Sequence, residues 1–82
     1  HRLDRMPLTE AFAWNESEFL TRTEGSPIRR IGHERWLRNI AVALGNAPTS
    51  PAILQALQSR RDDAWPLLRE HVQWALARHG SA

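Results

Sequence analysis

Apolar residues recur at helical spacing through most of this chain. The clearest run is His33 to Leu44, where Trp36, Leu37, Ile40, Ala41 and Leu44 form one stripe and Arg35, Arg38 and Asn39 lie off it. Gly45-Asn46 reads as its stop. A second stripe follows Pro66, with Leu68, Val72, Ala75, Leu76 and His79 on one face, widened by Leu67, His71 and Trp74. So wide a face predicts contact with more than one neighbour. Gly80 closes that helix.

Start signals divide the rest. Asn15 can cap a helix, with Glu18 three residues on as in a capping box, and Trp14 and Phe19 stand at the positions of a hydrophobic staple. That helix should bury Phe19 and Leu20 and end near Arg22 or Thr23, before Gly25. Ser26-Pro27 and Ser50-Pro51 each pair a capping hydroxyl with a proline whose missing N–H costs nothing there. The first should open a short helix to Ile31, broken at Gly32. The second opens a helix that buries Ile53, Leu54 and Leu57 and ends near Arg60, where Arg60 and Arg61 suit the negative helix end. Asp62 and Asp63 turn the chain. Leu8 and Phe12, just after Pro7, suggest one further turn. Residues 1–7 read as a frayed lead-in and 8–80 as the folded unit.

A loose internal echo links the two strong stripes. Leu37-Arg38 recurs as Leu68-Arg69, and Ala43-Leu44 as Ala75-Leu76. A spacing of about 30 residues suggests stacked helical hairpins of the HEAT type, although two apolar helices in a bundle would look similar. The expected fold class is all-α: a small HEAT-like helical-repeat domain of four to five helices.

Composition narrows the picture. Eighty-two residues, 41% hydrophobic, make one domain with a modest core. No cysteine is present, so disulfides, thiolate-ligated iron–sulfur clusters and cysteine zinc sites are excluded within the chain. No apolar run approaches the ~18 residues of a membrane span. A start at His1 suggests a piece of something longer. All basic residues are arginine, which suits phosphate and carboxylate but is also what an Ala/Arg-rich proteome yields. Their distribution says more. Leu8 to Gly25 carries four glutamates against a single arginine, whereas Ser26 to Arg38 carries four arginines against Glu34, so the surface should be polarised.

No catalytic constellation is visible. His33-Glu34 and Glu70-His71 do not make the HExxH pattern, and no serine has a GxSxG setting. The basic cluster is the one chemical signal. Arg29 and Arg30 fall in the first turn of the helix expected at Ser26, where the dipole is unfavourable to them by roughly 0.3–1 kcal/mol each. Placement against local stability is where function is often found, and a phosphate would reverse the sign. Arg35 and Arg38 could extend that surface, with Ser26 and Asn39 as neutral donors. The other reading pairs these arginines with Glu16, Glu18 or Glu24 to fix one helix on another. Trp14, Trp36 and Trp74 read as core, and Trp65, in a turn before Pro66, as exposed.

The segments WNESEFLTRTEGSPIRRIGHERWLRNIAVALGNAP and LLREHVQWAL closely resemble the C-terminal region of the epoxyqueuosine reductase family, above all in the core TEGSxIRRIG–RWLRNxAVALGN. The likeness runs from about Leu8 to His79. It departs at His33, where Tyr is expected, at Pro27 for Ala, and at Trp65 for a small polar residue; the contact made by position 33 stays open. The resemblance implies a longer cytoplasmic protein with a cobalamin-binding catalytic region and two [4Fe–4S] clusters, which reduces epoxyqueuosine at the tRNA wobble position. It also implies that a HEAT-like domain after those regions helps hold the tRNA. The expectation is therefore a monomeric domain that binds the tRNA anticodon stem-loop through Ser26, Arg29, Arg30, Arg35, Arg38 and Asn39. It would have no turnover, no cofactor and no membrane partner of its own. The alternative is a helical module docking on the upstream ferredoxin-like domain of the same chain.

Overall fold

The computed structural model describes residues 7–80, so all but Pro7 of the lead-in expected at residues 1–7 lies outside the described residues. Five α-helices follow in order: α1 (Leu8–Phe12), α2 (Glu16–Arg22), α3 (His33–Asn46), α4 (Pro51–Gln58) and α5 (Pro66–Arg78), with a 3₁₀ turn (Pro27–Ile31) between α2 and α3. The described part contains no strand. Its Cα extents of 38 × 27 × 15 Å make a slab. The short dimension matches two helices packed with axes about 8–10 Å apart. No helix among the described residues is long and apolar enough to cross a membrane.

Local chemistry sets the starts as expected. The Asn15 side chain accepts from the Glu18 amide at 2.8 Å, and Glu18 accepts from the Asn15 amide at 3.4 Å, completing the capping box. Trp14 and Phe19 are buried beside it. Ser26 Oγ accepts from the Ile28 amide, and Ser50 Oγ from the Ile53 amide. At Gly32 a φ of 86° turns the chain from the 3₁₀ segment into α3, a conformation that a side chain disfavours.

The core runs from Ala11 and Phe12 to Leu76 in one cluster, centred where α3 packs on α5. These two helices run parallel. At their starts His33 and Trp65 meet with ring centroids 5.6 Å apart. At their ends Arg78 Nε donates to Gly45 O at 3.1 Å and His79 Nε2 donates to Leu44 O at 2.7 Å. The last carbonyls of α3 are thus capped by side chains from the end of α5.

Four sequence expectations need correction. Leu20 is exposed, because the staple turns Phe19 inward and one residue on points outward. The Gly45-Asn46 stop holds in place but not in cause: α3 ends at Asn46, with Gly45 inside the helix and not beyond it. A Cβ at position 45 would lie 2.7 Å from Trp74 Cζ3 and 3.1 Å from the Ala75 backbone, so glycine is there to let α5 approach. The wide face of α5 is only half used: Leu68, Val72, Ala75 and Leu76 are buried, while Leu67 and Trp74 remain exposed. Arg60 does not serve its own helix end. Its Nε donates to Phe12 O at 2.6 Å, one terminal nitrogen to Trp14 O at 2.8 Å and the other to Asp63 Oδ2 at 3.0 Å.

Candidate nucleic-acid interface

The basic stretch lies on the surface. The 3₁₀ turn buries none of its residues, and Ile28 alone leans on the core. Arg29 and Arg30 are exposed. Together with Gly25, the half-buried Ser26 and Pro27, they line one open depression. Among the described residues no carboxylate lies within ion-pairing distance of Arg29, Arg30 or Arg35, so the internal pairing with Glu16, Glu18 or Glu24 is not made there.

The dipole part of the sequence reading falls. A five-residue 3₁₀ turn carries almost no macrodipole, and Arg29 and Arg30 stand in its last turn as much as in its first. What leaves the two guanidiniums facing water is the shape of the turn. It is capped by Ser26, stiffened by Pro27 and ended at Gly32, with too few residues to fold a long side chain back on the core.

On α3 the exposed positions Arg35, Asn39, Val42 and Asn46 follow one another at helical spacing opposite the buried Leu37, Ile40, Ala41 and Leu44. Arg35 and Asn39 are therefore neighbours on a single outward line. Arg38 lies to one side of it and is only partly exposed. Its Nε sits 3.9 Å from Glu34 Oε2, an ion-pair distance too long for a hydrogen bond, and is buried without a hydrogen-bond partner. Of the six residues singled out in the sequence, Ser26, Arg29 and Arg30 share one depression, Arg35 and Asn39 share the α3 line, and Arg38 is held back by its own helix.

Behind this surface, position 33 is structural. His33 is buried between Phe19 and Trp65, and its Nε2 donates to Trp14 O at 2.9 Å. Burial pushes the imidazole below its ordinary 6.5; the bond to Trp14 O opposes this, and the nearby Arg60 adds to it. A neutral ring that donates from Nε2 must leave Nδ1 bare, and Nδ1 is buried without a partner. No group of three His, Cys, Asp or Glu among the described residues could hold a metal ion.

A second feature was not legible in the sequence. Val42 of α3 and Glu70, His71 and Trp74 of α5 line a groove between the two helices. The guanidinium of Arg78 lies over the Trp74 ring, 5.3 Å from its centroid. Nδ1 of His71 donates to Leu67 O at 2.7 Å. Trp74 had looked like core because it extends the apolar stripe; the only hint otherwise was Arg78 four residues on.

Curated relatives match this chain closely. It is 69% identical over 78 residues to the epoxyqueuosine reductase of Xanthomonas campestris pv. campestris, an alignment covering 95% of this chain and 22% of that protein. It is 61% identical over 80 residues to the epoxyqueuosine reductase of Pseudomonas aeruginosa, covering 98% and 22%. With that of Escherichia coli K12 it shares 66% over 70 residues, covering 85% and 18%. The chain spans about a fifth of the length of the curated relatives it matches. No family model matches it, and no solved structure does.

Proposed function

We propose a tRNA-positioning role for this chain, which belongs to the epoxyqueuosine reductase family over a segment about a fifth as long as its relatives. The observation that carries the reading is the outward, unpaired state of Arg29, Arg30 and Arg35 among the described residues. Three guanidiniums facing water between positions 29 and 35 of the chain form the electrostatic footprint of a polyanion site. Phosphate contacts of this kind hold and orient RNA without reading its sequence. The parallel pairing of α3 and α5, close to the spacing of the sequence echo, supports a HEAT-like repeat as the scaffold.

In this reading the segment does no chemistry. Without cysteine it does not fit a [4Fe–4S] cluster, and no step is assigned to cobalamin or to a cluster here. Both belong, on this proposal, to the remainder of a reductase that acts on epoxyqueuosine in tRNA in the cytoplasm.

The test is a titration of the chain with a tRNA anticodon stem-loop at several salt concentrations. Each phosphate-contacting arginine replaced by alanine should lower the slope of log affinity against log salt by about 0.7. Arg29→Ala, Arg30→Ala and Arg35→Ala should each do so, and Arg38→Ala should do less. No RNA affinity at low salt would sink the proposal and leave docking on the upstream domain as the better account.

A further inference from the structure

Trp74 leaves 42% of its surface in water although the α3–α5 contact beside it is tight enough to require glycine at position 45. A large indole held against a neighbouring helix, yet open on its outer side, is shaped to receive something flat. The groove it shares with Val42 is apolar on two walls. Its polar members are Glu70 and His71. The carboxylate accepts hydrogen bonds only, and His71, with Nδ1 committed to Leu67 O, leaves Nε2 as an acceptor when neutral. The groove therefore asks for a planar ligand with N–H donors on its edge. The carboxylate also argues against a phosphate entering.

Val42 ends the exposed line that begins at Arg35 and Asn39. Val42 stands seven positions after Arg35, about 10 Å along the helix. One strand could place a phosphate at Arg35 and turn a neighbouring base into the groove. The Arg78 guanidinium, 5.3 Å from the centroid of the Trp74 ring, occupies one side of the indole, so a base would stack from the groove side with that positive charge nearby.

We propose that the α3–α5 groove lined by Val42, Glu70, His71 and Trp74 takes an unpaired, amino-bearing nucleobase of the bound RNA, stacked on the Trp74 indole. This rests on the RNA-positioning role and specifies one contact within it. The base is guanine, adenine or cytosine, whose N–H groups meet Glu70 and the His71 nitrogen. Recognition here comes from stacking first, so it tolerates exchange among these bases more than loss of the base.

The test uses the 82-residue chain and a set of RNA hairpins carrying 2-aminopurine at each loop position in turn, or an abasic site there. One position should lose fluorescence on binding, and making it abasic should weaken binding. Trp74→Ala should weaken binding roughly 5- to 150-fold and abolish the quenching, with the salt slope unchanged. Trp74→Phe should keep most of both. Equal far-UV circular dichroism of Trp74→Ala and the parent chain checks the fold. Unchanged affinity and quenching in Trp74→Ala overturns the base site alone. Binding with no loop position quenched does so too. A parent chain that binds none of the hairpins at low salt overturns the RNA reading and this one together.

Discussion

The Arg60 crossing and the Pro27–Ile31 turn are both built around guanidinium groups, and they use them oppositely. Arg60 is largely buried. It donates to the Phe12 carbonyl at the end of α1 and to the Trp14 carbonyl just beyond it, pairs with Asp63 and lies over the Phe12 ring, 5.5 Å from its centroid. It joins the α1–α2 connection to the turn before α5. Arg29 and Arg30 lie over nothing and pair with nothing among the described residues. Chain geometry makes the difference. Arg60 follows α4 into a turn that faces the carbonyls where α1 gives way to α2, whereas Arg29 and Arg30 sit on a turn whose only inward residue is Ile28. A guanidinium that fills its donors inside the fold is a clasp; one that fills none is available to a partner.

Substitution should separate the two sites sharply. Arg60→Ala should destabilise the fold by about 3 kcal/mol, since it strands the Phe12 carbonyl, takes one of two donors from the Trp14 carbonyl and leaves Asp63 without its cation. Urea denaturation measures this, and a loss under 1 kcal/mol would mean the clasp is ornamental. Gly45→Ala should cost about 1–3 kcal/mol, because the new methyl meets both Trp74 and the Ala75 backbone. It should also shift the Trp74 indole resonance, and an unmoved resonance would contradict the close approach.

A smaller effect involves His33, packed beside the Arg60 crossing. Its folded pKa is depressed by burial. As pH falls below the ordinary imidazole value, the unfolded chain takes up a proton that the folded chain resists. Stability contributed by the neutral ring is therefore full above about 6.5 and declines below it. Melting temperature should drop between pH 7.5 and 5.5, and His33→Gln should flatten that drop. Parallel curves for the two proteins would refute the assignment. The smallest effect belongs to the exposed pair. Arg29→Ala with Arg30→Ala should change stability by no more than about 0.5 kcal/mol while lowering RNA affinity. A double variant that unfolds would show that these side chains clasp something after all.

Much of the fold was legible because it is written in near neighbours. The Asn15–Glu18 box, the serine caps before Pro27 and Pro51 and the stripe of α3 each rest on residues within a few positions of one another, where backbone geometry leaves little choice. The outward placement of Arg35 and Asn39 follows from the same stripe. The rest depended on distant partners. That Arg60 would reach back to Phe12 and Trp14 and that His79 would cap α3 are outcomes of how helices dock; the approach of Arg38 to Glu34, by contrast, is set by the i,i+4 spacing within α3.

Sequence alone therefore determined that this chain is helical, where its main helices begin, and that its arginines gather ahead of and along α3. Only the tertiary structure decided which arginines remain in water, why position 45 is glycine, and that Trp74 borders an open groove. Periodicity says which residues share a face, because that is set by the turn of one helix. It cannot say how much of the face a neighbour will cover, because coverage depends on where another helix, thirty residues away, comes to rest.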